Sequence, residues 1–144
     1  MEIRKTKNID ISIGTDIINN QRIKKHINDP KFIQRILGDK EIQIFSKFTN
    51  ERRKIEFLAA RFSAKESITK ALKFKPVFNK INILTDSSIL IQPEYLSQIK
   101  KNLNFKNLQI KVSISHEKEY TISNCIILYT KNKHPKNEKC SKTT

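Results

Sequence analysis

The stretch FSAKESITKAL, residues 62–72, lies late in a long run with helical spacing and decides how the chain is read. Upstream, Ile55, Leu58, Ala59 and Phe62 step at i, i+3, i+4 and i+7, the spacing of one buried helix face. Continuing that stripe by four residues brings Glu66, and by four more Lys70. A carboxylate on a core-facing line must be paired, protonated or bound to a metal, because an isolated buried charge is very costly. The helix therefore carries either an ion pair or a site.

Outward from this stretch, Thr49 or Asn50 can cap a helix running from about residue 50 to 73. Residues 9–14, IDISIG, alternate apolar and polar as in a half-buried strand, and helical spacing begins at Asp16 and runs through DIINNQRIKKHI. NDP at 28–30 breaks it, KFIQRIL forms a short helix stopped by Gly38, and Asp39 caps DKEIQIFSKF. INILT and SILIQ flank DSS as a hairpin, Pro93 precedes a helix EYLSQIKKNL, and residues 108–115 and 120–129 form two strands joined by HEKE. The expected fold class is α+β, an antiparallel sheet packed against one long central helix. Residues 1–130 read as one domain and 131–144 as a basic polar tail expected to be disordered.

Lys and Arg number 29 against 14 Asp and Glu, a net charge of +15, which calls for an anionic partner. Nucleic acid, an acidic membrane surface, a polyphosphate ligand and an acidic protein all satisfy that demand. Abundant Lys, Ile and Asn throughout, and the basic tail, weaken the case for nucleic acid in particular. No stretch approaches the ~18 apolar residues needed to span a bilayer. The N-terminus shows no apolar segment followed by a small-residue cleavage site. With Cys125 in an apolar run and Cys140 in the tail, reduced thiols in a cytoplasmic protein are expected.

Three stretches depart from local rules. In GTD, 14–16, Asp16 is either a helix cap or a hard oxygen ligand for Mg²⁺ placed at a strand end. In AKES, 64–67, Glu66 and Lys70 form either an ordinary i, i+4 pair or a site. Arg61, Lys65 and Lys70 surround Glu66, so a phosphate brought there would meet three cations and a potential metal ligand. Asp16 with Glu66 makes a sufficient set, since Mg²⁺ commonly takes one or two carboxylates and completes its shell with water and phosphate. In SISHEKEY, 113–120, His116 is either a polar turn residue or a proton shuttle or phosphate contact. Neither His26 nor His134 makes a zinc spacing, and no Walker loop, dinucleotide fingerprint or nucleophile elbow occurs.

In this order and spacing, IGTDI, RFSAKESITKA and VSISHEKEY resemble the motifs of the holo-[acyl-carrier-protein] synthase family, the small phosphopantetheinyl transferases. The resemblance covers roughly residues 9–130. It implies the 4′-phosphopantetheinyl transferase fold. It also implies Mg²⁺-dependent transfer of the 4′-phosphopantetheine arm of coenzyme A to a serine of apo acyl carrier protein, in support of fatty acid biosynthesis. Adenosine 3′,5′-bisphosphate is the released product. By the same resemblance, Asp16 and Glu66 would hold the metal, Lys70 would steady the pyrophosphate, and Asp16, Glu66 and Lys70 together would carry catalysis. Arg61, Lys65 and His116 would lie along the coenzyme, and Arg22 would contact the acidic carrier protein. The resemblance further implies a homotrimer with interfacial active sites; no membrane association is expected, and nucleic acid is not the expected partner.

Two positions depart from the family pattern. Asn19 stands where the family usually has Glu, and LKFKPVF, with Lys73, replaces a glycine-rich turn. The competing readings are a basic nucleic-acid-binding module and a catalytically weakened relative that binds coenzyme A or carrier protein. The first predicts basic residues clustered with exposed aromatics. The second finds its support in Asn19 and the missing glycines.

Overall fold

The computed structural model describes residues 8–75 and 77–133. Its elements run β1 (Asp10–Asn19), α1 (Asn20–Lys24), α2 (Pro30–Ile36), α3 (Asp39–Phe45) and α4 (Glu51–Leu72). There follow a single 3₁₀ turn (Phe78–Lys80), β2 (Ile81–Ile83), β3 (Ile89–Ile91), α5 (Pro93–Leu103), β4 (Phe105–His116) and β5 (Tyr120–Lys131). β1, β5 and β4 make an antiparallel sheet in that spatial order, and β2 pairs with β3 as a separate hairpin. The α+β expectation holds. Of the tail expected over 131–144, Lys131 closes β5, and residues 134–144 lie outside the described residues.

α4 is the axis of the fold. It has no Gly or Pro along its 22 residues, and Asn50 caps it by accepting from Arg53 N at 3.1 Å. It ends at Lys73, which adopts a left-handed φ of 54° while its N–H bonds to Thr69 O. From Phe57 to Leu72 the helix is buried on nearly every side. Its N-terminal half shares a core with Ile18, Ile23, Phe32, Leu37 and Phe45, and its C-terminal half shares one with Ile81, Ile83, Ile99, Cys125 and Ile127. The stripe of Ile55, Leu58, Ala59 and Phe62 does not stay inside. Leu58 and Ala59 are buried, Phe62 and Glu66 half-buried and Lys70 exposed, so the line climbs out of the core onto the surface.

β1 runs further than its sequence spacing predicts. The helix expected from Asp16 begins only at Asn20, because residues 16–19 pair in register with Ser123, Ile122, Thr121 and Tyr120 of β5. Asn19, not Asp16, caps α1, accepting from Gln21 N at 2.9 Å. Along β1 it is Ser12, Gly14 and Asp16 that face α4, while Ile11, Ile13 and Ile17 face outward. The reason is close approach: a Cβ at Gly14 would lie 2.0 Å from Ser67 O and 2.8 Å from Ala71 N. Ser12 Oγ donates to Ala71 O at 2.6 Å, sealing the same contact.

Gly38 does not stop α2. Its φ of −76° is ordinary, and it precedes α3 as the cap residue, a place the sequence reading gave to Asp39. The free N–H groups of α3 are satisfied from elsewhere: Asn82 Oδ1 accepts from Lys40 N and Glu41 N, and Glu41 Oε2 accepts from Gly38 N. A Cβ at Gly38 would strike the Asn82 side chain at 2.4 Å.

The outward face of the sheet is apolar. Ile11, Ile13 and Ile17 of β1, between 62% and 71% exposed, stand opposite Leu128, Ile126 and Ile122 of β5. Thr15 and Asn124 interrupt this surface with a hydrogen bond at 2.9 Å. Among the described residues, no helix is long and apolar enough to cross a membrane.

Candidate active site

Asp16, Glu66 and Lys70 meet where β1 crosses α4. The strand supplies Asp16, whose main chain is anchored by Ser63 Oγ donating to Asp16 O at 3.4 Å. Ser63 is itself bonded to Ser123 Oγ at 2.9 Å. From α4, Lys70 Nζ donates to Thr15 O at 2.9 Å and to Asp16 Oδ1 at 3.0 Å. Glu66 sits one turn earlier on the same helix face. Partial burial, and after it the nearby Asp16, push the Glu66 carboxyl above the usual carboxylate range, with Lys70 pulling the other way. A carboxyl group raised by burial and by a neighbouring carboxylate, beside a single ammonium, makes a place where a divalent cation is welcome.

That donor set fits Mg²⁺: hard oxygens, two carboxylates, and room at the surface for water and phosphate to complete the shell. No group of three or more His, Cys, Asp or Glu occurs among the described residues, so these residues offer no all-protein cage.

Arg61 and His116 meet elsewhere, at a cleft of about 310 Å³ whose walls include Arg53, Phe57, Thr85 and Ser87. Arg61 Nε donates to Ile83 O at 3.1 Å, and its guanidinium lies 4.1 Å from the Phe57 ring centroid. Burial lowers its pKa from the ordinary value, opposed by Glu41. His116 ends β4, and the turn after it is latched by buried Asn20. Asn20 Nδ2 donates to Glu117 O and Lys118 O, its Oδ1 accepts from Thr121 Oγ1, and its N–H bonds to Glu119 O.

Lys65 does not join either group. Its side chain is 0% exposed, with Nζ donating to Ile36 O at 2.7 Å and to Glu41 Oε2 at 2.5 Å. In this structure it has no surface from which to touch a ligand, contrary to the expectation that it lies along the coenzyme. Burial pushes its ammonium down to about 8, with Glu41 resisting the fall. Arg22 is exposed on α1. Asn19 spends its side-chain oxygen on the cap of α1.

Sequence reasoning missed Glu41 and Asn20. Glu41 is 0% exposed and accepts from Gly38 N, Ile83 N and Lys65. Its signal was present in GDKE, where a Glu three residues after a cap position has capping-box spacing. Asn20 has no local signal, because its partners are about a hundred positions away.

Residues 12–125 match the 4′-phosphopantetheinyl transferase superfamily. This chain belongs to that superfamily. A curated relative, the holo-[acyl-carrier-protein] synthase of Staphylococcus aureus (strain JH9), is 37% identical over 120 residues, covering 80% of this chain and 92% of its own. A solved holo-(acyl-carrier-protein) synthase from Bacillus anthracis, in complex with CoA (3′,5′-ADP), is 27% identical with a TM-score of 0.66, over 85% of this chain and 99% of that one. The holo-ACP-synthase of Plasmodium yoelii shares the fold, with a TM-score of 0.71 at 23% identity over 87% of this chain and 99% of that one. The phosphopantetheinyl transferase fold and a transferase activity follow for this chain.

Proposed function

We propose that this phosphopantetheinyl transferase is a holo-[acyl-carrier-protein] synthase. It moves the 4′-phosphopantetheine of coenzyme A to a serine of apo acyl carrier protein, with Mg²⁺, and releases adenosine 3′,5′-bisphosphate. The observation that carries the chemistry is the convergence of Asp16, Glu66 and Lys70 on one surface of β1 and α4.

Transfer of this kind needs positioning and charge neutralisation more than covalent help from the protein. Asp16 and Glu66 would hold Mg²⁺, which when bound neutralises the pyrophosphate and its leaving oxygens. Lys70, tethered at Asp16 and Thr15 O, would move its ammonium onto a phosphate oxygen. Arg61 and His116 line the cleft that would receive the rest of the coenzyme. Arg22, with the surplus positive charge, would steer an acidic carrier protein toward α1. The charge of +15 thereby acquires a target that is not nucleic acid.

The same reading makes the protein a cytoplasmic homotrimer whose active sites are shared between subunits. Two features support it. Arg61 precedes Glu66 by five residues and Lys70 by nine, so on an α-helix they point about 140° and 180° apart. One chain therefore turns the cleft and the carboxylate site to different sides of α4, and a neighbouring copy can bring them together. The isoleucine face of β1 and β5 is the kind of exposed apolar surface that marks an interface.

The test is intact-mass spectrometry of apo acyl carrier protein incubated with this protein, coenzyme A and Mg²⁺. A gain of one phosphopantetheine, abolished by EDTA and by Glu66→Gln, is expected. Binding of coenzyme A without transfer would reduce the protein to a catalytically weakened relative, and absence of both would refute the reading.

A further inference from the structure

Behind the Arg61–His116 cleft lies a buried array of charge that the transfer chemistry does not use. Glu41 of α3 is fully enclosed. Its Oε1 accepts from Ile83 N at 2.8 Å, its Oε2 from Gly38 N at 2.9 Å, and Lys65 Nζ closes on Oε2 at 2.5 Å. Arg61 Nε lies 3.8 Å from Oε1, further off than Lys65. The array thus holds two cations and one carboxylate, and the carboxylate is committed first to the cation that cannot reach the cleft.

We infer that Lys65 is a positioning residue for Arg61, acting through Glu41: by occupying the Glu41 carboxylate it leaves Arg61 with an uncompensated positive charge facing the cleft. This rests on the reading of the cleft as a place for an anionic ligand. Without Lys65, Glu41 would turn its full charge to Arg61, and the pair would be a neutral buried ion pair with little left for a phosphate. The arrangement explains why a lysine, costly to bury, sits at the centre of α4 with no ligand to touch. It also explains why Arg61 is held independently, by Ile83 O and the Phe57 ring, so that its direction does not depend on Glu41. The cleft's own carboxylate, Glu56, does not cancel the charge either, because it is engaged by Arg52 at 2.8 Å.

The test compares Lys65→Met with Glu41→Gln/Lys65→Met, each in the full chain at a temperature where circular dichroism shows it folded. Coenzyme A affinity is read by calorimetry, with the melting temperature recorded alongside. Lys65→Met is expected to weaken binding by at least about tenfold, and the double variant to return within about threefold of wild type. A purely structural Lys65 predicts the opposite: a lower melting temperature with unchanged affinity in the folded protein. If Lys65→Met does not fold, Lys65→Gln takes its place, keeping a hydrogen-bond donor for Glu41 without the charge. Affinity weakened by about tenfold in that folded variant sustains the inference, and wild-type affinity overturns it.

If wild-type protein binds no coenzyme A, the proposed function has failed rather than this inference. Titration with inorganic phosphate, followed at the Thr85 and Ser87 amides by NMR, then reads the charge of the cleft directly. The same ranking of variants supports the role of Lys65, and phosphate binding that is absent or indifferent to Lys65→Met refutes it.

Discussion

Lys70 Nζ sits 3.0 Å from Asp16 Oδ1, joining the exposed end of a helical stripe to the inward face of a strand 54 residues earlier. The Lys70 side chain is 52% exposed, so this pair adds little to stability. Under the proposed function its value is chemical, an ammonium held beside the place where phosphate charge would be neutralised. Lys70→Met is expected to lower transfer by roughly a hundredfold or more while changing unfolding free energy by less than about 1 kcal/mol. Steady-state transfer assays and urea denaturation on one preparation check both halves.

Glu66 makes a second prediction with an unusual sign. Burial and Asp16 raise its carboxyl pKa in the folded chain, so ionising it works against folding. For a group raised in the folded state, the contribution to stability is complete below the unfolded value and is lost as pH rises through the folded one. Without metal at neutral pH, Glu66→Gln should therefore melt higher than wild type, by roughly 1–4 °C. The gap should narrow toward pH 4, where wild-type Glu66 also loses its charge, and Mg²⁺ should raise wild type alone. Calorimetry with and without EDTA measures this, and the variant should be inactive in transfer throughout. A lower melting temperature for Glu66→Gln at pH 7 would mean that Glu66 is a structural partner of Lys70 instead.

Gly14 tests how the site is built. A side chain there meets backbone atoms of α4 at Ser67 and Ala71, which cannot yield as a flexible side chain could. Gly14→Ala should cost roughly 1–3 kcal/mol by overpacking. It should also lower transfer beyond the unfolded fraction, because Asp16 is two residues along the displaced strand. Ser12→Ala is the control. It loses one bond to Ala71 O, about 1 kcal/mol, and leaves the spacing between strand and helix alone.

The candidate site was legible in the sequence where chemistry conflicts with pattern. Glu66 was found because a carboxylate stood on an apolar line, and the structure shows that line leaving the core at the point where Lys70 reaches Asp16. The same pattern logic misplaced Asp16 on a helix, since residues 16–19 owe their strand to pairing with β5 more than a hundred positions away. It also gave no warning that the isoleucines of β1 face outward, which Gly14 and Ser67 decide by close approach. Lys65 and Glu41 were out of reach for a related reason. Each is an ordinary helical charge locally, and only the packing of α3 against α4 and β2 makes them a buried pair.

The division of the site between two sides of α4 gives the last prediction. Lys70→Met disables the carboxylate side, and His116→Ala disables the cleft, so each variant alone should transfer poorly. If every active site pairs the cleft of one subunit with Asp16, Glu66 and Lys70 of its neighbour, a mixed assembly contains some sites in which both halves are intact. Unfolding the two variants together in urea and refolding them at equal amounts should therefore restore activity, to about a quarter of wild type for random assembly in a closed ring. A site contained within one chain would show no recovery, because neither variant holds both halves. The outward isoleucines supply the companion measurement. Ile13→Asp, placing a charge on a face that the assembly would bury, should yield single chains in size-exclusion chromatography with light scattering. Those single chains should retain the fold by circular dichroism, since Ile13 contributes nothing to the core, and should lose transfer because the two halves no longer meet.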